Sequence, residues 1–161
     1  MKRSWIKRGN KPLQRRTPLR VKGHSTSALL KEDIQALIRT LAIARDGGCV
    51  LRHYSSEIIP QYQECGGYRK DGEMILQAEH LVTRSNSSTF GNMRNIITLC
   101  QRHHIYYKPQ YSKEYWDIVR KHVGEETWEW LERVRQDRTP HKMDWKLVKI
   151  VLEQEAKKLS T

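Results

Sequence analysis

Residues 77–108 read Q-A-E-H-L-V-T-R-S-N-S-S-T-F-G-N-M-R-N-I-I-T-L-C-Q-R-H-H-I-Y-Y-K. Two groups of metal-capable side chains, Glu79-His80 and Cys100-x-x-His103-His104, flank a polar loop and a short apolar run. Ile75 and Leu76 lead into the first group as a strand does. Asn95 introduces a second β-branched run, Ile96-Ile97-Thr98-Leu99, and the Ser, Asn and Gly residues between 83 and 94 mark the connection. After Leu99 the pattern turns helical, and Pro109 is expected to stop the helix. A strand–loop–strand–helix of about thirty residues buries too little apolar surface to be stable unaided. Its metal ligands are the available reinforcement.

The rest of the chain is read outward from this unit. Its 161 residues suggest one domain with appendages, and the formal charge of +12 predicts attraction to a polyanion, nucleic acid first. Residues 1–22 hold nine of the thirty basic residues and no acid, which leaves twenty-one basic against eighteen acidic residues for 23–161. With Pro12, Pro18 and few apolar residues, this stretch is expected to be a disordered arm in which Lys7, Arg8, Arg15 and Arg16 follow phosphates. A solubilising tail is the plainer alternative. No apolar run is long enough to span a membrane and no charged-then-apolar signal opens the chain, so a cytoplasmic setting is expected. Three cysteines make a poor disulfide framework, and metal binding is the better use for them.

A helix is expected from about Ala28 to Arg45, capped by Ser25, Thr26 or Ser27, with Ile34, Leu37, Ile38, Leu41 and Ala42 as its core stripe. Asp46-Gly47-Gly48 ends it and delivers Cys49. Residues 50–64 show no period, and Cys65-Gly66-Gly67 reads as a tight turn ahead of a strand beginning near Met74. Three helices are expected over 112–159. The first is capped by Ser112 and ended by Gly124. The second opens on Glu125 and Glu126 and carries Trp128, Leu131 and Val134 on one side. Pro140 breaks the chain, and Asp144 opens the last, with Leu147, Val148, Val151 and Leu152. The tryptophans are read as core in preference to base-stacking platforms.

Cys49, Cys65, Cys100 and His103 make a first constellation. Cys100-x-x-His103 places two ligands within reach of one ion at a helix start, and Cys65-Gly66-Gly67 resembles half of a zinc knuckle. Four such ligands complete tetrahedral zinc and leave no open position, which defines a structural site. Cys49 and Cys65 are sixteen residues apart, so the chain between them has to loop out, and His53 is an alternative to Cys49. Three buried free cysteines are the plainer alternative.

Glu79, His80 and His104 make a second constellation. Glu-His, about fourteen residues, then N-I-I-T-L-C-x-x-H-H resembles the HNH branch of the His-Me finger endonucleases, whose common form ends N-l-v-x-L-C-x-x-C-H. On that pattern Glu79-His80 match the first pair, Asn95 the middle Asn and His104 the last His. Cys100 and His103 match the second zinc pair, with His103 in place of a cysteine. The likeness covers about residues 49–108. Tyr115, Ile118 and Gly124 extend it toward phage recombination nucleases of the NinG type. A phage RecA-dependent nuclease family with an L-C-x-x-H-H end is another relative by motif.

The resemblance implies an α+β fold: a zinc-stabilised ββα-metal core over about 74–108, C-terminal helices over 112–159, and one nuclease domain over 23–161. It also implies a DNA substrate in phage recombination or replication, and a partner from that machinery. The chemistry can be argued from the residues as well. Phosphodiester hydrolysis needs a hydroxide, stabilisation of phosphoryl charge and help for the departing 3′ oxygen. One Mg²⁺ or Mn²⁺ held by Glu79 and His104 meets the last two needs. His80 lies on the other strand face from Glu79, so it is read as the general base. By resemblance, Asn95 fixes the loop that orients His80, with Asn92 as alternative. Arg84, Arg94, Arg102 and Lys108 surround the loop and helix, and Arg84 and Arg94 are the candidate DNA contacts. Against this stand a non-catalytic zinc-dependent nucleic-acid-binding module, and a structural partner protein whose tail binds RNA or an acidic protein.

Overall fold

The computed structural model describes residues 26–137, 139 and 142–159. The basic arm with Lys7, Arg8, Arg15 and Arg16, the capping candidate Ser25 and the chain break at Pro140 lie outside the described residues. Within them the fold is α+β, with one two-stranded antiparallel sheet between two helical layers. No described helix is long and apolar enough to cross a membrane.

Helix α1 runs Thr26–Asp46 and buries Ile34, Ile38, Leu41 and Ala42 along one stripe, with Leu37 half-buried beside it. It ends at Gly47, whose φ of 63° suits a residue without a Cβ and whose N–H bonds the Ile43 carbonyl. The end of α1 is stitched to the sheet. Asp46 accepts from the Thr98 N–H at 2.7 Å, and Arg45 donates to the carbonyls of Met93 and Ile96. The long gap to Cys65 is taken up by two 3-10 segments, Val50–Glu57 and Pro60–Tyr62.

Strand β1, Leu76–His80, pairs antiparallel with β2, Ile96–Cys100, in the register Leu76↔Cys100 to His80↔Ile96. The strand expected from Met74 starts two residues later. Ile75 instead donates its N–H to Gly67 and accepts from Gln101, which ties the Cys-Gly-Gly turn to the helix after β2. Every residue of β2 is buried because helices cover both sheet faces. Ile96 faces a core shared with α1, Phe90 and Leu152 of the last helix. Ile97 and Leu99 belong to the larger core, with Val50, Leu51, Tyr107, Tyr115, Val119 and Leu131.

After β2 the chain is helical from 101 to 110, with a π-helical stretch His103–Tyr107 leading into the turn α2, Lys108–Gln110. Pro109 therefore lies inside the helix, contrary to expectation. The wider π turn carries the hydrogen bond from Lys108 back to His103, a geometry that gives the proline ring room. Helix α3, Ser112–Val123, has Tyr111 at its cap position with no side-chain cap, so Ser112 is not the cap. Gly124, at φ 79°, ends α3 and passes the chain to α4, Glu125–Gln136. Asp144 caps α5, Trp145–Lys158, through the N–H groups of Lys146 and Leu147. The inner face of α5 carries Trp145, Val148, Leu152 and Ala156, while Leu147 and Val151 are exposed. Gly91 lets this helix approach, since a Cβ there would sit 2.5 Å from Val148.

Candidate metal centres

Cys49, Cys65, Cys100 and His103 converge, their ligand atoms all within 4.8 Å of one another. His103 Nδ1 lies 3.2 Å from the sulfurs of Cys49 and Cys100 and 4.0 Å from that of Cys65. Such separations match the edges of a tetrahedron with ligand bonds of about 2.0–2.3 Å. The 3-10 turns after Cys49 fold the intervening chain out of the way. His53 is exposed and outside the cluster, so Cys49 is the fourth member.

The surroundings suit a cation. His103 Nε2 lies 2.7 Å from the Tyr62 carbonyl and donates to it, which turns the lone pair of Nδ1 toward the three sulfurs. The Cys65-Gly66-Gly67 turn packs tightly on the helix start. A Cβ on Gly66 would meet Arg102 at 2.9 Å, and one on Gly67 would meet Gln101 at 2.5 Å. Hydrogen bonding from Cys49 and Cys65, helped by the Gly66 backbone, holds the Cys100 thiol far below its ordinary value. Sharing a proton with Cys100 pushes Cys65 up to about 11 and Cys49 higher still, and burial adds to both. Burial opposes charge on His103, but its bonds to Cys100 and Cys49 raise it to about 10. Without a metal, Cys49, Cys65 and His103 therefore keep their protons around a Cys100 thiolate; a divalent ion would replace those protons. The donor set can hold a metal ion and is compatible with structural zinc.

The second constellation forms on the next residue of the same helix. Glu79 is buried, and its Oε2 lies 2.7 Å from His104 Nε2. Its other oxygen accepts from Lys108 Nζ. His104 and Lys108 are four apart and share a helix face, which is why both reach one carboxylate. Burial works to raise the Glu79 pKa, but the His104 and Lys108 hydrogen bonds outweigh it and hold the carboxyl below its usual range. His104 Nδ1 is buried with no hydrogen-bond partner among the described residues. One carboxylate and one imidazole thus meet here, with His104 partly open to solvent.

His80 lies on the opposite sheet face, as strand alternation requires, with its ring 5.5 Å from that of Phe90. Its Nε2 is 3.2 Å from the Phe90 carbonyl, and Nδ1 is buried without a hydrogen-bond partner among the described residues. Burial, with the Arg84 charge nearby, lowers its pKa and favours the neutral ring. Asn95, fully buried, holds the loop between the strands. Its Oδ1 accepts from the Val82 N–H at 2.6 Å, and its Nδ2 donates to the carbonyls of Val82 and Thr89. Asn92 instead caps a local turn at Arg94.

The basic candidates separate. Arg94 pairs with Glu126 and lies over Trp130, Arg102 donates to the Gln61 carbonyl, and Lys108 is held by Glu79. Arg84 alone of the four has no ion pair or hydrogen bond among the described residues, and it lines a cleft of about 310 Å³ with His80. Sequence reading missed Lys108 as the partner of Glu79; its i, i+4 relation to His104 was the available signal. No protein-family model, curated protein or solved structure matches the chain.

Proposed function

We propose that this chain is a metal-dependent endonuclease that hydrolyses phosphodiester bonds in DNA, with structural zinc in the cysteine cluster. The observation that carries the reading is the meeting of Glu79 with His104, one residue beyond the cluster member His103. A closed thiolate site thus braces the helix that brings a carboxylate–imidazole pair together.

A divalent ion held by Glu79 and His104, Mg²⁺ or Mn²⁺, would supply Lewis acidity at the phosphoryl group and the departing oxygen. His80 takes the proton of the attacking water, the bond from phosphorus to the 3′ oxygen breaks, and solvent returns a proton to that oxygen. A ring kept neutral by burial suits this role. With Nε2–H donated to Phe90, Nδ1 is the basic nitrogen, and the ring has to turn for it to meet water. Asn95 acts as a positioning residue, because it pins the loop that carries the Phe90 carbonyl. The sequence likeness to HNH nucleases extends the proposal to phage recombination or replication, with branched or single-stranded DNA as substrate.

A second reading, a zinc-dependent nucleic-acid-binding module without catalysis, draws on the Lys108 ammonium, which already neutralises Glu79. Supercoiled plasmid incubated with and without Mg²⁺ or Mn²⁺ separates the two. Divalent-dependent nicking that disappears in Glu79→Gln is the expected result, and intact plasmid under all conditions selects the binding module.

A further inference from the structure

The cleft beside His80 lies between α1 and β1 and has no assigned occupant. Gln35 and Arg39 line it from α1, Gln77 and His80 from β1, and Arg84 from the loop that follows; Ile38 is part of its apolar floor. Gln35 and Arg39 are one helical turn apart, so both project to the same side. Ala78 and His80 share the strand face toward α1, whereas Gln77, at the rim of the cleft, and Glu79 alternate to the other face, where His104 and Lys108 hold Glu79. No carboxylate among the described residues lines the cleft.

Most described arginines have a partner. Arg45 pairs with Asp46, Arg69 with Glu73, Arg94 with Glu126, Arg120 with Glu125 and Arg135 with Glu132. Arg39, Arg52, Arg84 and Arg133 have no side-chain ion pair or hydrogen bond among the described residues; of these, Arg39 and Arg84 line the cleft, and both are exposed. The side-chain amide of Gln35 likewise has no hydrogen bond among the described residues. Two guanidinium groups with no counter-ion among the described residues therefore border one opening, with the Gln35 amide beside them and an imidazole at the side. Guanidinium groups in this state are suited to phosphate oxygens.

We propose that this cleft seats the phosphodiester backbone of a single nucleic-acid strand, with Arg39 and Arg84 each contacting a phosphate near His80. The part given to His80 rests on the nuclease reading; the binding does not. The volume of about 310 Å³ lies at the low end of ligand clefts, roughly 300–1,000 Å³, which fits a nucleotide unit and not the width of a duplex. No aromatic side chain among the described residues lines it, so these residues offer phosphate contacts and no stacking platform. Arg39 belongs to a helix outside the strand–loop–strand–helix unit, which gives α1 a part in substrate binding beyond its packing role.

The test uses the full chain with its zinc in place and a fluorescein-labelled oligodeoxynucleotide, in buffer without Mg²⁺ or Mn²⁺. Affinity is measured across a salt series. Arg39→Gln and Arg84→Gln each make the slope of log K against log salt shallower by about 0.7 on single-stranded DNA, and the double variant by about twice that. Arg69→Gln, outside the cleft and paired with Glu73, leaves the slope unchanged. Circular dichroism establishes that these exposed substitutions leave the fold intact. An unchanged slope in the folded double variant overturns the proposal, as does displacement of the oligonucleotide by poly-glutamate at equal charge concentration. Loss of slope in a protein that never cleaves keeps the cleft and removes the nuclease. Cleavage by wild type with no slope change does the reverse.

Discussion

His103 and His104 are consecutive residues of one π-helical turn, yet the groups they serve are completed in opposite ways. Around His103 three sulfurs point inward, the far ring nitrogen is tied to the Tyr62 carbonyl, and two glycines let the Cys65 turn close over the helix start. Around His104 there is one carboxylate and an ammonium that contends for it. Four soft ligands in a buried ring make a closed site whose worth is stability. Under the proposed function, one carboxylate and one imidazole at a partly open edge would leave room for exchange, which chemistry on a bound phosphate requires. On this reading, the first site fixes the helix and the second uses its position.

The largest effect expected from breaking this contrast comes from the closed side. Cys100→Ser removes a ligand from the centre of the larger core, and zinc affinity in so small a unit is folding free energy. We expect loss of bound zinc by elemental analysis and destabilisation by more than about 4 kcal/mol in chemical denaturation. A variant that melts like wild type would separate the cluster from stability.

The open side should fail differently. His80→Ala is expected to lower single-turnover cleavage by about 10²–10⁴-fold while DNA affinity and melting temperature stay near wild type. Because burial lowers the His80 pKa, wild-type activity should rise with pH through a value below 6.5 and then level off. The sign for stability is the same. The folded ring binds its proton less readily than the unfolded one, so its contribution is present above the unfolded value and is lost as the pH falls. A rate that declines through this range as pH rises would remove His80 as the base. Glu79→Gln should abolish the Mg²⁺ or Mn²⁺ dependence of cleavage and cost roughly 1–3 kcal/mol, because Lys108 loses its carboxylate. Zinc content should not change, and a preparation that loses zinc would couple the two sites.

Much of this contrast was legible before any coordinates. Cysteine is scarce in the chain, so Cys100-x-x-His103 and Cys65-Gly66-Gly67 stood out, and strand alternation placed Glu79 and His80 on opposite faces. The choice between Cys49 and His53 was not legible, because it depends on how the aperiodic residues 50–64 coil into 3-10 turns. The apolar residues expected on α5 divide, Val148 and Leu152 inward and Leu147 and Val151 outward, for a related reason. Leu147 and Val151 match a helical stripe as well as Trp145 and Ala156 do, and only contact with α1 and Phe90 decides between them. Lys108 was one basic residue among thirty. Its pairing with Glu79 depends on the helix continuing through Pro109, which the π turn permits.

Lys108 also gives the smallest and sharpest test. Its ammonium occupies one oxygen of Glu79, the same carboxylate that a divalent ion would need. Lys108→Met keeps most of the aliphatic stem, which lies near the Tyr115 ring, and removes only the competing charge. If Lys108 reserves the site for a cation, the variant should bind Mn²⁺ about tenfold more tightly, a change of about 1.4 kcal/mol. Titration of Mn²⁺ by calorimetry in the absence of DNA measures this directly. Its cleavage rate at saturating Mn²⁺ should match wild type, since the ammonium has already left Glu79 in the metal-bound state. Unchanged Mn²⁺ affinity would mean that Lys108 is a fixed counter-ion and that Glu79 is structural. Tighter Mn²⁺ with a lower saturated rate would mean that the displaced ammonium moves on to the phosphate and stabilises its charge.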